Sequence, residues 1–288
     1  MKRFIAGLAC AALAGMAVPT LASAAHAQAP AEPLAALRSK LGTGNGVSFS
    51  EKTKVTNRDT RLVLSSRKGV LQFGTSGVVA SDHTTKLRIK SDDLDELVVP
   101  LQNSYDEDSQ AVAKMMDGLS KPERTVTVKN VSYVSGGMFG QLLPEGKNWL
   151  RVPGGMNGFT GSYGQLINPA EPATLKALLA HAVKRPGGYA GKTTFGELYK
   201  VSPWFRASVM EKPTGKAAKT VLTWKLSVGA DRLPTRLTST YGDKTSSFTV
   251  ETDYTRWGAK VSVKAPPAEE VAEITEIAEL EDLGKTTG

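Results

Sequence analysis

The chain has 288 residues, 40% of them hydrophobic and 22% charged, with a formal net charge of +8. That length suffices for one large β core or two small domains, and no second shift in composition favours two. One cysteine, Cys10, excludes a disulfide framework, a thiolate zinc site and, if the leader is removed, a thiol nucleophile in the mature body.

The N-terminus reads as a secretory signal. Lys2 and Arg3 are followed by an apolar, alanine-rich run from Phe4 to Val18 and by small-residue processing sites at Ala22-Ser23-Ala24 and Ala25-His26-Ala27. The apolar stretch is shorter than the roughly 20 residues of a membrane-spanning helix, so a removed signal over residues 1–27 is expected. Lipidation at Cys10 is the alternative, but it would leave only Phe4 to Ala9 as the apolar segment.

Further along, Pro33 to Leu41 is expected to open the body as a short helix, with Leu34, Leu37 and Leu41 at helical spacing. Gly42-Thr43-Gly44-Asn45-Gly46 follows that helix and not a strand, so it reads as a turn and not a phosphate loop. Strands are expected at Arg61 to Leu64 and Gly69 to Phe73. The pattern predicts a helix from Asp106 to Leu119, with acids in its first turn and Val112, Met115, Met116 and Leu119 on one stripe. Strands follow at Thr125 to Val134 and Asn148 to Val152. Pro169 to Val183 is the strongest helical segment, with Leu175, Leu178, Leu179 and Val183 on one face and Pro186-Gly187-Gly188 as its stop. Thr193 to Val201, Val221 to Val228, Thr235 to Tyr241, Ser247 to Tyr254 and Lys260 to Val263 complete the strands, the last four as a meander. The tail, residues 268–288, holds seven acids against Lys285 alone. It is helix-prone from Glu269 to Leu283, but its apolar residues recur every three positions, which predicts weak docking; deletion of Glu273 to Gly288 should change stability by no more than about 1 kcal/mol.

Catalytic chemistry is hard to assemble from this chain. Beyond the signal only His83 and His181 remain, and Thr160-Gly161-Ser162-Tyr163-Gly164 lacks the first glycine of a nucleophile elbow. The acids Asp92, Asp93, Asp95 and Glu96, and Asp106, Glu107 and Asp108, lack the ligand order of a calcium loop. No catalytic residue, metal site or cofactor is therefore expected. The positive body favours anionic lipid head groups, wall polymers or a membrane surface, with solubility as the alternative role for the charge; nucleic acid is not an expected partner.

The stretches Tyr133-Val134-Ser135-Gly136-Gly137-Met138-Phe139-Gly140 and Leu143 to Gly154, with Arg232-Leu233-Pro234-Thr235-Arg236-Leu237, Tyr254-Thr255-Arg256-Trp257-Gly258 and Ala265 to Val271, resemble secreted or lipid-anchored actinobacterial proteins of the LppX/LprG lipoprotein family. More remotely they are similar to the lipoprotein carrier LolA. The likeness spans most of Val47 to Val271. It implies a mainly β (α+β) fold, a strongly curved antiparallel half-barrel over residues 28–267 with helices plugging its concave face around an apolar cavity for acyl chains. Many of these relatives carry a lipidated cysteine at the mature N-terminus, whereas Ala22 to Ala29 has none.

On that basis Met115, Met116, Leu119, Met138, Phe139, Leu178 and Leu179 are the cavity candidates, because methionine and leucine adapt to flexible chains. Arg67, Lys68, Lys147 and Arg151 are candidates to meet an anionic head group. The expected function is non-enzymatic binding or transport of a lipid or lipidated molecule by a monomer, secreted or in the cell envelope. The alternative is an envelope protein-binding or regulatory module whose cavity is filled by its own side chains, and a hydrolase stands third.

Overall fold

A computed structural model describes residues 32–58, 61–89, 98–103, 107–209, 211–242 and 245–277. The signal segment, the acids of 92–96, Asp106 and the tail beyond Ile277 lie outside them.

Twelve strands form one open, curled sheet in the order β12-β6-β5-β4-β3-β2-β1-β11-β10-β9-β8-β7. Two meanders make it. The first is β1 (Asn45–Asn57), β2 (Arg61–Phe73), β3 (Val78–Leu87), β4 (Glu123–Val128), β5 (Val131–Gly136) and β6 (Trp149–Pro153). The second is β7 (Val183–Arg185), β8 (Gly188–Thr194), β9 (Val221–Val228), β10 (Pro234–Gly242) and β11 (Ser246–Lys260), and β11 returns to pair antiparallel with β1. The short β12 (Val271–Glu273) adds in parallel to β6. Among the described residues six α-helices join them, α1 (Pro33–Lys40), α2 (Glu107–Gly118), α3 (Pro172–Ala180), α4 (Phe195–Val201), α5 (Pro203–Ser208) and α6 (Gly215–Ala218), beside a helical segment over 98–102.

The strand pattern follows alternation. In β9, Leu222, Trp224 and Leu226 are buried while Thr223 and Lys225 are exposed, so one side faces a core and the other water. That core gathers Leu37 of α1, Leu175 and Leu178 of α3, Leu198 of α4, and Trp204 and Phe205 of α5 against Val47, Phe49, Leu71, Phe73 and Leu237 of the sheet. At the β1–β11 seam the register slips between Gly46 and Ser48, where Arg256 and Gly258 take positive φ. The bulge aims Trp257 inward, where it stacks on Phe73 at 6.0 Å and donates to the Pro234 carbonyl at 2.8 Å.

Several expectations need correction. Thr125 to Val134 is not one strand but the β4–β5 hairpin, turned at Lys129 and Asn130, both with positive φ as a two-residue primed turn requires. Thr193 to Val201 is the end of β8 followed by α4: the Thr194 hydroxyl accepts from the Glu197 amide and the Glu197 carboxylate accepts from the Thr194 amide, a capping box that overrides the β-branched composition. The helix placed at Pro169 to Val183 is shorter, and Pro186-Gly187 serves the β7–β8 turn instead of a helix stop.

The tail also differs. Within its described part it makes a 3-10 turn at Ala268–Glu270, β12, and a second 3-10 turn at Ile274–Glu276, with Ala272 and Ile277 buried. Backbone pairing with the free edge of β6 and burial of Ile277 against Phe139, Leu142 and Leu150 decide its conformation, so weak docking is not what the chain adopts. The runs Ser247 to Tyr254 and Lys260 to Val263 likewise change: β11 absorbs the first and stops at Lys260.

Candidate functional site

Midway along the concave side of the first meander the alternation continues, but the inward residues turn polar. Register aligns Glu51, Arg67, Thr85 and Glu123 on consecutive strands, with His83 and Thr125 paired in a neighbouring row. All six are buried. Arg67 Nε lies 2.7 Å from Glu51 Oε1 and its Nη2 donates to Glu51 Oε2 at 3.1 Å, while its guanidinium faces the Trp204 ring at 5.2 Å.

The segment 154–171 crosses this row as a strap. Glu123 Oε1 accepts from the Thr160 amide and hydroxyl, at 3.2 and 2.7 Å, and Glu51 Oε1 accepts from the Gln165 amide at 3.2 Å. The Tyr163 carbonyl accepts from Thr53 and Ser65. The Gln165 side chain joins Ser239 and Thr252 of the second meander, and the Gln165 backbone carbonyl accepts from Trp204 Nε1 at 2.7 Å. At the strap's end Glu171 accepts from Thr174, Ser202 and the Trp204 amide. Glycine is needed where the backbone comes closest: a Cβ at Gly158, where φ is +78°, would collide with Glu123 and Thr125, and one at Gly164 with Arg67 and Glu51.

Burial sets the protonation of these groups. Desolvation lowers the His83 pKa to about 3, with the Arg67 charge adding to it and the Asn157 carbonyl, 3.4 Å from Nε2, opposing. Burial pushes the Glu123 and Glu171 carboxyls up, against the hydrogen bonds from Thr160 and from Ser202 and Thr174. In this buried polar seam Arg67 is paired with Glu51, which accepts from the strap, so Arg67 is not available to a head group. Lys147 and Arg151 are engaged as well, by the Glu269 carbonyl and the Glu273 carboxylate. Among the described residues no three His, Cys, Asp or Glu side chains are grouped to hold a metal ion.

The seven apolar candidates fall in separate places. Met115, Met138 and Phe139 meet in a small cluster with Leu142, Leu150 and Ile277, at the β6 end of the sheet. Met116 packs instead beside Val98 and Ala113, and Leu119 is half-buried in the turn after α2. Leu178 and Leu179 belong to the main core. Of the seven, Leu178 lines an open cleft of about 380 Å³ between α3 and α4, with Ala177, Ala180, Leu198 and Val201 as its apolar walls and His181, Lys192 and Lys200 around it. The cleft falls in the size range of small-molecule sites.

The polar seam escaped the sequence reading, although a signal was present. Glu51 shares strand parity with Val47 and Phe49, and Arg67 with Leu71 and Phe73, so each continues an inward face.

No family model matches the chain, and no curated protein matches it. Similar solved structures include a hypothetical protein from Chlamydia trachomatis, 11% identical, covering 83% of this chain and 98% of that one with a TM-score of 0.32. A LolA superfamily protein from Nitrosomonas europaea is 9% identical over 81% of this chain and 93% of its own, with a TM-score of 0.34. A DUF1329 family protein from Desulfovibrio piger is 10% identical over 81% and 96%, with a TM-score of 0.28. The chain's own topology, an open curled antiparallel sheet with helices on its concave side, is consistent with a LolA-like half-barrel.

Proposed function

We propose that this is a non-enzymatic protein, acting outside the cytoplasmic membrane as a monomer, that binds a lipid or an acylated molecule. The observation that carries the reading is the cleft between α3 and α4, where the apolar side chains of Ala177, Leu178, Leu198 and Val201 stand beside Lys192, Lys200 and His181, with Glu197 as the one carboxylate against the two lysines. Such a site suits an acyl chain ending in an anionic group. The basic, then apolar, N-terminal segment supports export, and the resemblance to the LppX/LprG lipoproteins and LolA supports the ligand class. The other six sequence candidates form apolar packing around α2, β6 and the core, and Met115, Met138 and Phe139 are the group that could yield to a longer chain.

A second reading is favoured by the strap, which fills the concave face of the first meander with the chain's own polar groups. Under it the protein is an envelope module that binds another protein and carries no lipid.

One variant separates the two. Ala177 is half-buried on the cleft wall, so Ala177→Trp adds bulk into open space. Uptake of a fluorescent fatty acid by the delipidated wild type, lost in Ala177→Trp while the melting temperature is kept, supports the acyl site. Absence of uptake by the wild type, with no lipid released by native mass spectrometry, transfers the assignment to the protein-binding module.

A further inference from the structure

The outer side of β7, β8 and β9 in the second meander is one-sided in charge. Between residues 181 and 242 the chain has eleven Lys and Arg against three acids, Glu197, Glu211 and Asp231. None of the three acids lies in β7, β8 or β9. Val183 pairs with Ala190, Ala190 with Lys225 and Lys192 with Thr223, so Arg185, Lys192 and Lys225 share the outward face of three adjacent strands. All three are exposed, and none is in an ion pair among the described residues. The patch has a border: from β10 onward the outer face is neutralised, Arg236 by Asp253 and Lys54 by Glu251.

These cations rim an open concavity of about 760 Å³ that also takes in Val183, Thr223 and Thr238. Val183 and Val221, on the same face, are 54% and 47% exposed. Like charges on neighbouring strands repel, and no carboxylate of these strands offsets them. The cations sit on long stems spread over about 10 Å of sheet and do not converge on one point, which suits a plane of negative head groups better than a single small anion.

We infer that the outer face of β7–β8–β9 docks on an anionic lipid surface, with Arg185, Lys192 and Lys225 meeting the head groups and Val183 and Val221 resting at the interface. The docking stands apart from the acyl-binding reading, yet the two would work together: His181 and Lys192 border both this concavity and the cleft between α3 and α4, so a docked chain presents the cleft to the membrane.

The full chain is tested by sedimentation with vesicles of phosphatidylcholine, alone or mixed with phosphatidylglycerol, at low and high salt. The apolar segment Phe4 to Val18 is common to every variant, and binding to neutral vesicles measures its share. The wild type should prefer the anionic vesicles and lose that preference in salt. Arg185→Glu/Lys192→Glu/Lys225→Glu should weaken anionic binding on the order of 100-fold, and the corresponding Gln triple should fall between. Lys52→Glu/Lys86→Glu/Arg88→Glu makes the same change of net charge at exposed positions on β1 and at the end of β3, more than a Debye length away, and should stay within about threefold of wild type. Ala177→Trp should bind vesicles as the wild type does, which separates loss of the docking face from loss of the acyl site. Equal weakening of both Glu triples would reduce the effect to net charge and overturn the proposal. No preference for anionic vesicles, or displacement from them by soluble polyglutamate at equal charge, would overturn it too, the latter reassigning the face to an acidic polymer.

Discussion

The two meanders share one sheet but close their inner faces by different physics. In the first, Glu51, Thr53, Ser65 and Glu123 meet the strap through directional hydrogen bonds of 2.6 to 3.2 Å. In the second, Leu222, Trp224, Leu226 and Leu237 meet α3, α4 and α5 through apolar contact, which tolerates small shifts. A buried polar group loses heavily when its partner moves away, whereas a helix sliding over leucines loses little. The comparison teaches where such a molecule yields more readily: beside the helices of the second meander, whose apolar contacts tolerate small shifts, rather than at the hydrogen-bonded strap of the first.

Breaking the polar seam should have the largest effect. Arg67→Met leaves Glu51 buried without its cation, and such unpaired charges typically cost about 3–5 kcal/mol. Denaturant unfolding should show that loss, with Glu51→Met/Arg67→Met less destabilised than Arg67→Met alone. A single variant that unfolds at the wild-type midpoint would remove the seam as the fastener of the strap.

The next effect lies at the end of the first meander. Ile277 is 1% exposed against Phe139, Leu142 and Leu150, so Ile277→Ala should cost about 2–4 kcal/mol, and truncation after Glu270 at least as much. This replaces the expectation of a marginal tail. Thermal melting of the two variants decides it; an unchanged transition would return residues 271–277 to the status of an appendage.

How much of this was legible follows from range. Val221 to Val228 is read correctly because its alternation and its flanking turns are local, and α2 because its apolar stripe is. The capping box of α4 is equally local but is hidden under Thr193, Thr194, Phe195 and Tyr199, residues that favour strands. The parallel pairing of β12 with β6 cannot be read from 268–277 alone, since its partner strand lies more than 100 residues earlier. The strap is the extreme case. Its glycines and polar residues look like a surface loop, and only the register that places Glu51, Arg67 and Glu123 inward makes it an interior element. Of the candidate site, Leu178 was legible from helical spacing, while Ala177, Lys192 and Lys200 come together only through the packing of α3 on α4 and β8.

Acid should act on the first meander before the second. His83 takes a proton in the unfolded chain below about pH 6.5, but the folded chain refuses it until about pH 3. Its depressed folded pKa therefore contributes stability that is complete above pH 6.5 and is lost as pH falls through that window, at about 1.4 kcal/mol per pH unit. Glu123 and Glu171 act in the opposite sense: their raised pKa favours the folded state below the ordinary carboxylate range, and that contribution fades as pH rises. Comparing wild type with His83→Leu at pH 7 and pH 5 isolates the histidine. The variant should lack the acid-side slope, and parallel pH profiles would show that His83 is not held neutral.

The smallest effect sharpens the contrast from the other side. α4 is held at its start by the capping box of Thr194 and Glu197, at 3.2 and 2.8 Å, and along its length by Leu198 in the apolar core. Thr194→Ala removes the hydroxyl acceptor and leaves Leu198 in place, so stability should fall by about 1 kcal/mol, as for other N-caps. The first turn of α4 also carries Glu197, which lines the cleft between α3 and α4. Fraying that turn lowers the ordering needed to widen the cleft, so fatty-acid uptake by Thr194→Ala should quicken while its melting temperature drops by a few degrees. A cap at the polar seam could not behave in this way, because there a lost hydrogen bond exposes no apolar wall. Slower uptake by Thr194→Ala than by the wild type would mean that α4 must be intact to hold the ligand, and that its fixed position, not its freedom, sets access to the cleft.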